Sequence, residues 1–160
     1  YEIDLGNSEI KYEPGDSLGV IPKNNHELIN SMISRLDASS STIPDGYDSS
    51  LFDLLENDYE ILTPTNRLIN FINENTLHKK LNDIILRQDK EALAKFKYGK
   101  DILDFMNLDK SLKIDLNVFL SLLKPIQHRA YSISSSSLVH PNQIHLTVST
   151  ERWSNNSRSY

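Results

Sequence analysis

The spacing of apolar residues changes twice along this chain, and that change limits the fold more than any other feature. Residues 1–5, YEIDL, alternate as a strand does, with Tyr1, Ile3 and Leu5 on one side. The run Leu18-Gly19-Val20-Ile21 follows the turn residues Pro14-Gly15-Asp16 and closes at Pro22. These two strands are near enough in sequence to pair. From Lys23 the period becomes helical. Leu28, Ile29, Met32, Ile33 and Leu36 form one stripe behind Asn24 or Asn25 as N-cap. SSLFDLLEN reads as a short helix capped by Ser49 or Ser50, and TPTNRLINFINE as another, with Thr63 before Pro64 as cap and first turn. Residues 78–96 form one further helical pattern, with its charges outward, ended by Gly99; DILDFMN and DLNVFLSLL add two short helices. After Pro125 the period returns to two in RAYSIS and QIHLTVSTERW, where Ile144, Leu146 and Val148 face one way. The expected class is α+β: a strand domain of residues 1–22 and 124–160 carrying a helical insertion, residues 23–123.

At 160 residues the chain has room for one domain with a real core or for two small lobes. A net charge of −5 argues against nonspecific nucleic-acid binding, which needs clustered cations to displace counterions. The absence of cysteine excludes disulfides and thiolate chemistry. No apolar run reaches the roughly 20 residues that span a bilayer. A soluble cytoplasmic protein is expected. A start at Tyr1 inside a strand and an end at SRSY suggest a piece of something longer.

One segment stands out chemically: HRAYSISSSS, residues 128–137. Arg129 and Tyr131 are two apart, so a strand puts both on one face, with Ser132 on the other unless the strand ends there. A guanidinium makes forked contacts to phosphate oxygens. A tyrosine ring offers a face to a planar heterocycle, and serine hydroxyls and backbone N–H groups suit a ring edge. Together they suit a nucleotide or a flavin. The competing account is a surface strand with a polar loop, on a chain that serves as a cofactor-free helical interaction module. No metal site is expected, because His140 and His145 form the one close histidine pair and no carboxylate stands at ligand spacing. His128 reads as a cap at the strand entrance. Ser134–Ser137 have no nucleophile elbow around them and read as a loop packed near a cofactor. Asp16 reads as a turn residue rather than an acid catalyst.

RAYSISSSSLVHPNQIHLTV resembles the flavin-binding RxYS region of the diflavin reductases, within the ferredoxin–NADP reductase superfamily. Tyr12, Pro14, Gly15, Asp16, Leu18, Gly19 and Val20 match that family's YxPGDxLGV pattern, and the wording IDLGNS at 3–8 is most similar to its sulfite-reducing members. The resemblance implies an antiparallel FAD-binding β-barrel, incomplete here, with a helical connecting domain inserted. It implies that Arg129 meets the FAD pyrophosphate, that Tyr131 stacks on the isoalloxazine, and that Ala130 and Ser132 border the ring, with Ser132 near N5. Thr147, Val148 and Ser149 would run past the phosphates and ribityl chain. Trp153 would stand at the adenine end in place of the usual tyrosine, and Thr63 would reach in from the helices. It implies an NADPH-dependent oxidoreductase that also uses FMN. Its partners would be an FMN domain and a sulfite-reducing haemoprotein subunit, or, in a cytochrome P450 reductase-like relative, another haem protein. The family's second flavin motif and its NADPH-binding domain are not in these residues, so this stretch alone is not expected to be active.

Overall fold

Asn25 starts the first helix: its side-chain oxygen accepts the backbone N–H groups of Glu27 and Leu28. Helix α1 (His26–Arg35) then buries Leu28, Ile29, Met32 and Ile33, the stripe its spacing predicts. In the computed structural model, which describes residues 1–149 and the strand backbone of residues 154, 155, 158 and 159, the chain forms two compact units. A helical unit spans Lys23–Ile126, and a strand unit takes residues 1–22 with the chain from Gln127 through residue 149. The protein is therefore mixed helix and strand.

In the helical unit α1 is followed by α2 (Leu51–Asn57), capped by Ser50, and by the two-residue strand β3 (Tyr59–Glu60). Helix α3 (Asn66–Asn75) begins later than its sequence suggests. Its N-cap is Thr65, not Thr63, because the Thr65 hydroxyl both accepts from Leu68 N and donates to Leu122 O. The pattern over 78–96 is two helices, α4 (Lys79–Leu86) and α5 (Lys90–Lys97). Gln88 breaks it with a φ of 54°, and Asp89 caps the second helix. Helices α6 (Ile102–Met106) and α7 (Leu116–Leu122) follow, and β4 (Lys124–Pro125) pairs antiparallel with β3. Phe105 and Phe119 are fully buried among them. The Phe105 ring meets Phe96 edge-on at 5.8 Å. Arg35 ties α1 to the chain after α6, its Nη2 donating to the carbonyls of Met106, Asp109 and Leu112.

Both ends of the helical unit are fastened to the same short stretch. Asn24 donates its backbone N–H to Glu56 O and its side-chain N–H groups to Leu55 O and Tyr59 O. Ile126 donates to Asp58 O at 2.7 Å. The Glu56 carboxylate lies between, accepting from His26 Nε2 at 2.6 Å and Lys23 Nζ at 3.1 Å. These bonds, led by the one from His26, hold its pKa below the ordinary carboxylate value.

The strand unit holds β1 (Glu2–Asp4), β2 (Ser17–Val20), β5 (Arg129–Ser132) and β6 (Gln143–His145). A further pair, β7 (Ser154–Asn155) and β8 (Arg158–Ser159), completes the strands. Strands β1 and β2 do not pair with each other, as their nearness in sequence suggests. Each pairs antiparallel with a later strand, β1 with β6 and β2 with β5. A bridge between Ile133 and Leu146 joins β5 to β6, so the order is β1-β6-β5-β2. The small core under it is Tyr12, Ile133, Ile144 and Leu146, with Ile3, Leu5, Leu18, Val20, Tyr131 and Val148 packed around. Among the described residues the strands form short pairs and do not close into a barrel. No helix among them is long and apolar enough to cross a membrane.

Phe105→Ala removes a fully buried ring and should lower stability by about 3–5 kcal/mol in chemical denaturation. Glu56 has a lowered folded-state pKa, so its contribution is present above the unfolded carboxylate value and disappears as pH falls through the folded one. Glu56→Gln should therefore be less stable than the parent at neutral pH, and the difference should shrink as the solution is acidified; a difference independent of pH would contradict the clasp.

Candidate functional site

The site begins with a turn. Pro14 and Gly15 are its central residues, Gly15 has a φ of 102°, and Asp16 N bonds Glu13 O at 3.1 Å, as a type II turn requires. The Asp16 carboxylate accepts the Glu13 N–H at 2.8 Å, which makes Asp16 a turn residue. Its carbonyl accepts from Ile133 N at 2.9 Å and extends the ladder in which Ser17, Leu18, Gly19 and Val20 stand opposite Ser132, Tyr131, Ala130 and Arg129. Gly19 leaves room for His128: a Cβ there would lie 3.3 Å from the imidazole Cδ2. His128 thus covers the strand beside the site.

Two bonds set the direction of every backbone group on β5. Ile133 N points to β2 and Ser134 N to His145 O on β6. In an antiparallel ladder alternate residues point to opposite edges. Arg129 and Tyr131 therefore give their N–H and C=O groups to β2, and Ala130 and Ser132 turn theirs toward residues 147–149. The bridge between Ile133 and Leu146, with Ile133 N on Asp16 O and Ser134 N on His145 O, sets the Ser132 carbonyl opposite Thr147 N, and among the described residues Ala130 has no strand pairing on that edge.

Side chains alternate as well. Arg129 and Tyr131 lie on the face that continues into buried Ile133, while Ala130 and Ser132 are exposed on the other. Tyr131 packs against the strand core and is half-buried, so part of its ring remains accessible. Arg129 is exposed and has no ion-pair partner among the described residues. Ser132 shares its outer face with Thr147, also exposed, whose hydroxyl reaches Ser134 Oγ at 3.4 Å. Val148 packs on the core and Ser149 is exposed. The structure thus gathers Arg129, Ala130, Tyr131 and Ser132 on one strand, with the 147–149 segment following the bridge between Ile133 and Leu146. Thr63 belongs to the helical unit, exposed, with its N–H on Glu60 Oε1 at 3.3 Å. Trp153 lies outside the described residues.

The serine run forms a loop held by its own hydroxyls. Ser134 Oγ donates to His145 O, Ser136 Oγ accepts from Leu138 N, and buried Ser135 accepts from His145 N. Ser135 also bonds the Tyr12 hydroxyl at 2.7 Å, and that hydroxyl reaches Gln143 O at 2.8 Å and His140 O at 3.2 Å. Tyr12 thereby pins the whole 135–143 loop. The imidazoles of His140 and His145 rest 4.3 Å apart, centroid to centroid, at the same loop. Neither the tyrosine pin nor the buried serine is apparent from residue types. The one hint is an aromatic residue at 12 among polar neighbours.

An exposed guanidinium and a partly exposed tyrosine on one face of one strand suit a flat ring joined to a phosphate. The family model described as the FAD binding domain matches residues 1–159. The chain belongs to the FAD binding domain family. It is 29% identical over 161 residues to the sulfite reductase (NADPH) flavoprotein alpha-component of Bacillus subtilis, covering 98% of this chain. It is 32% identical over 160 residues to the protein of that name in Photorhabdus laumondii, covering 99% of this chain. For Buchnera aphidicola the identity is 35% over 149 residues, covering 92%. The chain spans about a quarter of these relatives, 27%, 26% and 24% of their length. Within this FAD binding domain the YxPGDxLGV stretch builds the turn, the pin and the core, and the RxYS strand pairs with it.

Tyr12→Phe should leave Ser135 and two carbonyls without their partner and cost about 1–3 kcal/mol. Hydrogen exchange at His145 and across the 134–143 loop should speed up, with the helical unit unchanged; uniform exchange throughout the chain would contradict a local pin.

Proposed function

We propose that the strand unit holds FAD along β5, as the FAD-holding part of an NADPH-dependent diflavin reductase of the sulfite reductase kind. The observation that carries this is Arg129, exposed and without an ion-pair partner among the described residues, on the same face as a half-covered Tyr131 ring. The residues suit the cofactor. Arg129 offers a forked cation to the pyrophosphate. Tyr131 offers a face to the isoalloxazine. Ala130 offers its backbone groups to the ring's polar rim, and Ser132 offers its hydroxyl beside them. Thr147, Val148 and Ser149 line the other side, toward the ribityl chain and phosphates. Trp153 at the adenine end and Thr63 from the helices complete the proposed set.

When bound, FAD supplies the redox chemistry of its ring. The chain supplies charge neutralisation at the phosphates, a fixed plane for the ring and hydrogen bonds at its edge. Full closure of the strands into an antiparallel barrel, and the helical unit's role as a connecting domain between FAD and FMN parts, belong to the same proposal. So do FMN and NADPH as further cofactors, a haemoprotein subunit that reduces sulfite as the final partner, and the cytoplasm as the compartment. What supports them is the likeness, over nearly all of this chain, to proteins named sulfite reductase (NADPH) flavoprotein alpha-component.

Titration with FAD, followed by flavin fluorescence, tests the site. Tyr131→Ala should weaken binding by roughly one to two decades, in line with aromatic stacking of about 1–3 kcal/mol, and Tyr131→Phe far less. Arg129→Lys should recover only part of what Arg129→Ala loses, because an ammonium lacks the fork. Equal losses in the two Tyr131 variants would remove the stacking role. An Arg129→Ala protein with unchanged affinity would remove Arg129 from the site, and a parent protein that takes up no FAD would favour a cofactor-free interaction module.

A further inference from the structure

Helices α4 and α5 carry a groove of about 590 Å³, edged by His78, Lys80, Asp83, Lys95 and Lys100 over a floor of Ile84 and Phe96. Its charge is opposite to that of the chain. Residues 78–100 hold six lysines and Arg87 against Asp83, Asp89 and Glu91, a net +4 in a chain of net −5, so the other residues carry −9. The carboxylates near the groove are already occupied: Asp83 pairs with Arg87 at 2.9 Å and Glu91 with Lys95 at 2.7 Å. Two cations are gathered around one ring. Lys100 Nζ stands 4.7 Å and Lys80 Nζ 5.8 Å from the centroid of Phe96. The same stretch also leaves large apolar side chains in water: Leu77 is 96% exposed, Tyr98 87% and Leu86 74%.

Basic rims over apolar floors, beside exposed apolar side chains, are features of interaction surfaces. Lys80 and Lys95 are exposed, Lys95 shared with Glu91, and half-buried Lys100 donates from Nζ to Phe96 O at 2.6 Å. A rim of this kind suits an extended partner better than a small ligand, which needs fixed polar groups in a closed pocket. We infer that the α4–α5 groove docks an acidic protein segment, with carboxylates on Lys80, Lys95 and Lys100 and one apolar side chain seated over Ile84 and Phe96. This surface lies wholly within the helical unit and stands or falls apart from the FAD site.

Fluorescence anisotropy with a labelled short peptide of glutamates around a central leucine tests it. The peptide should bind saturably and weaken as salt screens the contacts. Lys80→Glu should lose at least about tenfold in affinity, the loss of one favourable contact and the gain of a repulsive one. A glutamate in the first turn of α4 suits the helix end, so far-ultraviolet circular dichroism should be unchanged, and Lys95→Gln gives a second, milder variant. Unaltered affinity in both variants would overturn the inference. So would equal binding of an all-glutamate peptide, which would leave the apolar floor without a role. Binding of inorganic polyphosphate but not of the peptide would assign the groove to a polyanion instead and overturn it too.

Discussion

The strand unit depends on β2 meeting β5, two segments separated by the whole of residues 23–126. A contact over so long a loop carries an entropic cost that a disordered connection does nothing to reduce. The helical unit reduces it by bringing its own ends together. Asn24 at the entry and Ile126 at the exit both bond to the stretch between Leu55 and Tyr59, and β3 pairs with β4 beside them. The entry and the exit of the helical unit thus meet at one stretch within it, and the Glu56 clasp with His26 and Lys23 fixes the entry.

The β2–β5 ladder also divides the two motifs by role. Tyr12, Pro14, Gly15, Asp16, Leu18 and Val20 are spent on the turn, the loop pin and the core. Their partners on β5 are thereby oriented, with the Arg129 and Tyr131 side chains on one face and those of Ala130 and Ser132 on the other. Affinity for a cofactor would come from few groups, but their positions are set by many hydrogen bonds behind them.

Local features were legible in the sequence where they have local causes. The α1 stripe of Leu28, Ile29, Met32 and Ile33 follows from spacing alone, and side-chain chemistry narrows the two caps to Asn24 or Asn25 and Ser49 or Ser50, of which Asn25 and Ser50 accept the helix N–H groups. The shared face of Arg129 and Tyr131 follows from strand alternation. Features decided by distant partners were not legible. Thr65 rather than Thr63 caps α3 because Leu122 O waits for its hydroxyl. The α4–α5 break at Gln88 has no Gly or Pro to announce it. Strands β1 and β2, adjacent in sequence, each take a partner from the far end of the chain. Serine hydroxyls suit a ring edge by composition, yet Ser134 and Ser135 bond His145 and Tyr12, and Ser136 accepts from Leu138 N within the loop.

The most direct measurement is a comparison of FAD with riboflavin in the same titration of the unaltered protein. Both share the ring that Tyr131 would face, and only FAD carries the pyrophosphate that Arg129 would hold. The account predicts clear uptake of FAD with riboflavin at least about tenfold weaker, as a forked contact between charges is worth more than an ordinary hydrogen bond. Equal uptake would deny Arg129 its role. A protein that takes up neither would mean that β5 is a surface strand and not a flavin site.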